Sequence, residues 1–342
     1  MAEKKRLQYL DIARGIGMIC IILGHLGNDT INRIVYPFHV PLFFLIAGYF
    51  INEKKNFTEF LKSRARTLLV PYAATSLVMI IIAAIEGLIM YGAEYGAAGA
   101  LQGVNWINAA LYGSGSGHYM QFDIKGIGAI WFLLALFWGS IIVRASLYMN
   151  KWVRAALMIA LFAVGWLTKD LFWFPFSLQP GLCAATFVYI GWIVGRYKER
   201  LMKVPLAVKI AFLVICAAAY VVFMKRFWAF WFVSCEFGDG VQDILLCLCS
   251  CLVVIFISWL LEKVPLVRNG LSVIGRYSLI ILCIHNIELN QFPWTQIANI
   301  LVEKGMPSAL SLPFIIAGKL ILDLVAACLL LKIRPVRKLF RY

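Results

Sequence analysis

Charge is scarce in this chain. Asp, Glu, Lys and Arg make up 14% of its 342 residues, against roughly 25% in a soluble protein. That shortage excludes a disordered chain, a coiled coil and an ordinary soluble enzyme. Acidic groups are the scarcer sign, 17 against 32 Lys and Arg. Histidine occurs four times, as His25, His39, His118 and His285, so chemistry that needs an imidazole has few places to reside. No polar run is long enough for a separate soluble domain, and no internal repeat is evident. Residues 1–342 therefore read as one domain. The nine cysteines lie mostly in apolar segments, where they act as small hydrophobes. Cys247, Cys249 and Cys251 lack zinc spacing, and their alternation is expected to keep them off a common helix face. Neither a metal site nor a disulfide framework is expected.

Apolar residues are abundant, at 62%, and a spanning helix needs about 20 of them in a row. The expected fold is all-α, a polytopic integral membrane bundle of about ten transmembrane helices. Apolar windows place them at 9–27, 37–52, 67–91, 128–149, 153–168, 180–196, 206–224, 241–261, 271–290 and 309–331. The second is short and opens Pro37-Phe38-His39-Val40-Pro41, which predicts a kinked or re-entrant segment buried in protein or lining a cavity. The basic N-terminus resembles a signal peptide, but Asp11 and Arg14 interrupt its apolar stretch and no small-residue cleavage site follows. It is read as a retained first span.

In a soluble protein a net charge of +15 would suggest nucleic acid. Here a cytoplasmic excess accounts for it, and no nucleic-acid partner is expected. Alternate segments carry 25 Lys and Arg on one side and six on the other, with Lys319 inside a span. Both termini are therefore expected in the cytoplasm. The outer loops are rich in Gly and aromatic residues over 92–127 and 225–240. Those aromatics suit an interfacial belt, and they would also suit stacking on sugar rings.

Ionisable groups inside spans are costly and default to a functional role. Arg14 and His25 are eleven residues apart in the first span. Eleven steps of about 100° return to within about 20° of the starting direction, some 16 Å along the axis. One face thus carries a guanidinium near the cytoplasmic mouth and an imidazole three turns deeper. Arg14 can hold phosphate with two parallel hydrogen bonds, and His25 can take a proton from a hydroxyl near neutral pH. The bland alternatives are an interface-seeking Arg14 and a core His25. Arg64 and Arg66 add cations at the same mouth, as a plain positive-inside cluster also would. His285 and Glu288 can touch at i,i+3, and Lys319 and Asp323 read as a neutralised i,i+4 pair. Glu86 has no evident partner.

These residues resemble a known family. Leu10-Asp11-Ile12-Ala13-Arg14-Gly15 through Gly24-His25 is similar to the Arg-x10-His signature of acyltransferase family 3. Pro37 to Phe44 followed by Ala47-Gly48-Tyr49-Phe50 resembles its second-span motif, with Ala47 in place of the usual serine. Arg64-Ala65-Arg66 to Pro71-Tyr72, Ile130-Trp131-Phe132-Leu133, and Gly275-Arg276-Tyr277-Ser278-Leu279 to His285 look like later elements of that family, in family order. The nearest flavour is the fucose 4-O-acetylase-like branch. The resemblance implies a multi-pass protein of the bacterial cytoplasmic membrane, in contact with membrane lipid. It implies transfer of an acyl group, usually acetyl, from cytoplasmic acyl-coenzyme A (acetyl-CoA) to a hydroxyl of a cell-surface or lipid-linked carbohydrate. By position, His25 would be the catalytic base or carry a transient acyl-imidazole. Arg14, Arg64 and Arg66 would bind the coenzyme, and His39, Trp131 and His285 would line the substrate cavity. A glycan exporter or flippase, or a membrane module serving a partner enzyme, are the competing expectations. A transporter would more often show paired broken helices, and only Pro37–Pro41 looks like one.

Overall fold

A computed structural model describes residues 7–91, 96–117 and 123–340; His118 lies outside them. Lipid offers the backbone no hydrogen-bond partner, so each apolar run satisfies its own amides as a helix. The first half of the chain forms α1 (Gln8–Gly24), α2 (Asp29–Val35), α3 (Pro41–Tyr49) and α4 (Phe57–Arg64). A π-helical turn at Ala65–Leu69 joins α4 to α5 (Val70–Tyr91), and α6 (Gly96–Tyr112) follows. Next come α7 (Trp131–Ser146), α8 (Lys151–Leu167), α9 (Leu178–Met202) and α10 (Leu206–Arg226). A small antiparallel hairpin pairs β1 (Phe230–Trp231) with β2 (Glu236–Phe237), Phe230 lying opposite Phe237. The chain ends with α11 (Val241–Leu261), α12 (Pro265–Arg276), α13 (Ser278–Gln291), α14 (Trp294–Glu303), α15 (Ser311–Leu330) and α16 (Arg334–Phe340).

Asparagine side chains start three helices. Asn28, Asn56 and Asn150 each accept a backbone N–H of the first turn, at 2.8–3.0 Å. Pro41 opens α3 where its missing N–H costs nothing. Among the described residues five helices are long and apolar enough to cross a membrane. They are Phe57–Ile89, α9, α10, α11 and Ser308–Leu330. The pair α12 and α13, bent by 70°, makes up to six. The other apolar windows fold as shorter pieces. α1 and α8 have 17 residues, α7 has 16 and α3, in the window expected to be short, has nine. Where the sequence reads as a loop over 92–127, residues 96–112 form a helix alongside α5. The run of apolar helices, with Leu206, Ile215 and Ile89 turned outward, is that of a multi-pass membrane protein.

Two crossings bring backbones into contact. A Cβ on Gly275 would lie 1.8 Å from the Asp11 carbonyl oxygen, so α12 can lie against α1 only without a side chain there. A Cβ on Gly191 would lie 2.0 Å from the Leu45 oxygen, which locks α9 onto α3 in the same way. Several basic residues are structural anchors. The Arg144 guanidinium donates to the Lys55 carbonyl at 2.7 Å, and Arg154 donates to the carbonyls of Ser146, Leu147 and Met149 at the end of α7. Cys247 and Cys251 are both buried one turn apart on α11, so these two do share a face.

Candidate functional site

His25 is the residue that closes α1, its backbone N–H bonded to the Ile22 carbonyl. The helix is unbroken from Gln8, so Arg14 and His25 do stand on one continuous rod, about 16 Å apart along it. His25 Nδ1 lies 2.8 Å from the Ile21 carbonyl oxygen and 3.2 Å from His285 Nε2. A carbonyl can only accept, so Nδ1 of His25 carries the proton and its Nε2 keeps the lone pair. His285 Nε2 must then accept, which puts the second proton on His285 Nδ1. That nitrogen meets Asp323 Oδ2 at 3.0 Å and Glu288 Oε2 at 2.9 Å. In this arrangement the one N–H of His25 faces both the Ile21 carbonyl and His285 Nε2.

The second tier is buried and charged. His285, Glu288, Asp323 and Lys319 are each at most 5% exposed. Lys319 Nζ donates to Glu288 Oε1 at 2.6 Å, and the Trp294 indole N–H donates to the same oxygen. Lys319 therefore pairs with Glu288 while Asp323 turns to His285, in place of the i,i+4 pairing expected within α15. Two carboxylates face one ammonium, which leaves one negative charge against the histidine pair. His285, expected in the substrate cavity, instead sits wholly buried behind His25. His285, Glu288 and Asp323 could bring ligand atoms within 4.8 Å of one another around a metal ion. The Lys319 ammonium holds the other oxygen of Glu288, Oε1.

Two cavities meet in front of this chain. One, about 240 Å³, opens at the end of α1 that carries Arg14 and is lined there by Arg14, Arg64 and Arg276. Its deeper walls include Phe43, Ala47 and Leu136, so the serine-to-alanine departure leaves this wall apolar. Arg14 sits over the Phe50 ring at 5.4 Å and within 3.5 Å of Asp11. Arg66 does not reach this cavity. Two residues beyond Arg64, it points to a separate groove with Lys62 and Ala73. Arg276 reaches it instead, carried by α12 at the glycine crossing with α1. No spacing in the sequence relates Arg276 to Arg14.

The other cavity, about 60 Å³, is lined by His25, Tyr36, His39 and Trp131, and by Phe230 to Val233 of the hairpin. Ile21, Phe132 and Leu282 line both cavities. His39 is tied by Nδ1 to the Val35 carbonyl at 2.9 Å and packs against Tyr36. Trp131 is set by the turn before α7, where Asn286 accepts the Ile130 N–H at 3.2 Å. A family model described as an acyltransferase domain matches residues 7–331. The chain belongs to that family. No curated protein and no solved structure matches it. In this membrane acyltransferase His25 lines the aromatic cavity, with His285, Asp323 and Glu288 buried behind it. Sequence reasoning located His25, Arg14, Arg64, His39 and Trp131 at these cavities. It also paired His285 with Glu288 at i,i+3, as observed at 2.9 Å, but had no signal for the contacts between α13 and α15 or between His285 and His25.

Proposed function

We propose that this acyltransferase moves an acyl group, usually acetyl, from acyl-coenzyme A to a hydroxyl of a cell-surface or lipid-linked carbohydrate. The arginine end faces the cytoplasm, as the 25-to-6 charge split favours, in a bacterial cytoplasmic membrane. Arg14, Arg64 and Arg276 hold the coenzyme phosphates by charge-assisted hydrogen bonds. The pantetheine arm follows the apolar wall past Ala47 and presents its thioester between Ile21, Phe132 and Leu282. The acceptor enters from the opposite side, among Trp131, His39 and the hairpin.

His25 Nε2 takes the proton from the acceptor hydroxyl as its oxygen bonds to the thioester carbon. The carbon–sulfur bond then breaks, and His25 returns the proton to the departing thiolate, leaving an ester and free coenzyme A. Positive charge that develops on the His25 ring passes through Nδ1 to His285 and is met by the Asp323 and Glu288 carboxylates. The observation that carries this reading is the hydrogen-bond chain from Ile21 and His285, which leaves His25 Nε2 as the basic nitrogen beside the aromatic cavity. The test is transfer of labelled acetyl from acetyl-CoA by purified protein, alongside His25→Ala. Transfer should fall about 10²–10⁴-fold while coenzyme binding, read by calorimetry, persists. Normal transfer by folded His25→Ala would overturn the assignment.

A further inference from the structure

A second cavity opens beside His25 at the same end of the bundle as the aromatic one. It holds about 330 Å³ between α13, α14 and α15. His25 is the one described residue that lines both. The aromatic cavity, at about 60 Å³, is the smaller of the two. The larger cavity has a different rim: the Thr295 hydroxyl, the Gln296 amide and the Phe292 ring are all exposed there. The Phe292 and Trp294 rings pack 4.4 Å apart, and the Trp294 indole is fixed by its bond to Glu288. Flat aromatic faces beside hydroxyl and amide groups match a pyranose, which has an apolar C–H face and hydroxyls around its edge. A lipid tail would leave Thr295 and Gln296 unpaired against hydrocarbon.

We propose that the acceptor is a carbohydrate chain of two or more sugars lying across His25, its reacting ring in the aromatic cavity and the neighbouring sugar in the cavity formed by Phe292, Trp294, Thr295 and Gln296. This rests on the carbohydrate reading of the acceptor given above. It makes the substrate a glycan segment and a free monosaccharide a poor surrogate.

The test uses the full-length protein in phospholipid vesicles with labelled acetyl-CoA. Acceptors are fragments of the host's surface polysaccharide, graded from one to five sugars. kcat/KM should rise about tenfold or more from one sugar to two or three and then level off. A tenfold step corresponds to one or two added hydrogen bonds with their packing. Thr295→Ala with Gln296→Ala should shrink that long-to-short ratio to about threefold or less, the value expected when those bonds are gone. Equal kcat/KM for one sugar and for longer fragments would overturn the inference and leave acyl transfer to carbohydrate standing. So would a double variant that slows every length by the same factor. If no fragment of any length takes the label, both readings fall.

Discussion

Asp323→Asn replaces one buried oxygen by an NH2 of the same shape, and its effect can be followed proton by proton. In the native chain His285 Nδ1–H donates to Asp323 Oδ2 at 3.0 Å, and His285 Nε2 accepts from His25. The introduced amide can donate to His285 Nδ1, which moves the ring proton to Nε2. Two N–H groups then face each other across 3.2 Å, because the Ile21 carbonyl holds the His25 proton on Nδ1. The pair must separate, or His25 must give up its Ile21 bond and lose the lone pair at Nε2. The charge balance fails as well, since Glu288 and Lys319 then neutralise each other and nothing offsets a charged imidazole. In the serine-protease triad the same carboxylate-to-amide change costs about 10⁴ in kcat. Here Glu288 Oε2 remains 2.9 Å from His285, so the expected loss is smaller, about 10²–10³, or roughly 3–4 kcal/mol of barrier. KM for the donor should change little, because Asp323 does not line the arginine cavity. The assay is steady-state acetyl transfer by purified protein, with thermal unfolding to confirm that the variant is folded. A folded Asp323→Asn enzyme within threefold of native kcat would refute the relay.

The arginine cavity separates two residues that the sequence treats alike. Arg64→Ala should raise the donor KM about tenfold or more, as loss of a charge-assisted hydrogen bond does, whereas Arg66→Ala should stay within about twofold; equal effects would contradict the placement. Gly275→Ala puts a Cβ 1.8 Å from the Asp11 oxygen, so it should lower the unfolding temperature and raise donor KM by displacing Arg276. A variant with native stability and KM would show that α12 does not need that contact. Cysteines at positions 56 and 105 should label from opposite sides of the membrane, position 56 from the cytoplasm. Labelling of both from outside intact cells would reverse or break the proposed orientation.

Local features of the fold and site are legible in the sequence because they depend on neighbours along the chain. Apolar composition determines helices, and asparagine caps set where α2, α4 and α8 begin. Eleven residues of unbroken helix put Arg14 and His25 on one face, and Pro41 opens α3. Helix length is less legible. Hydropathy reads burial in protein and exposure to lipid alike, so α7 looks like a full span although it has 16 residues, most of them buried. Of the buried charged cluster only the His285–Glu288 contact, an i,i+3 pair, is legible. Lys319 and Asp323 share a face of α15, and helical spacing alone makes them partners. Only the approach of α13 offers Lys319 a carboxylate at 2.6 Å and Asp323 an imidazole at 3.0 Å. Arg66 and Arg276 exchange importance for the same kind of reason. A helix turns about 200° between Arg64 and Arg66, and the glycine contact of α12 with α1 delivers Arg276 from 262 residues beyond Arg14. By itself the sequence determined which groups exist and which helix faces carry them. The tertiary structure decided which faces meet, and hence that His25 Nδ1 lies against His285, because that contact depends on partners that no local spacing relates.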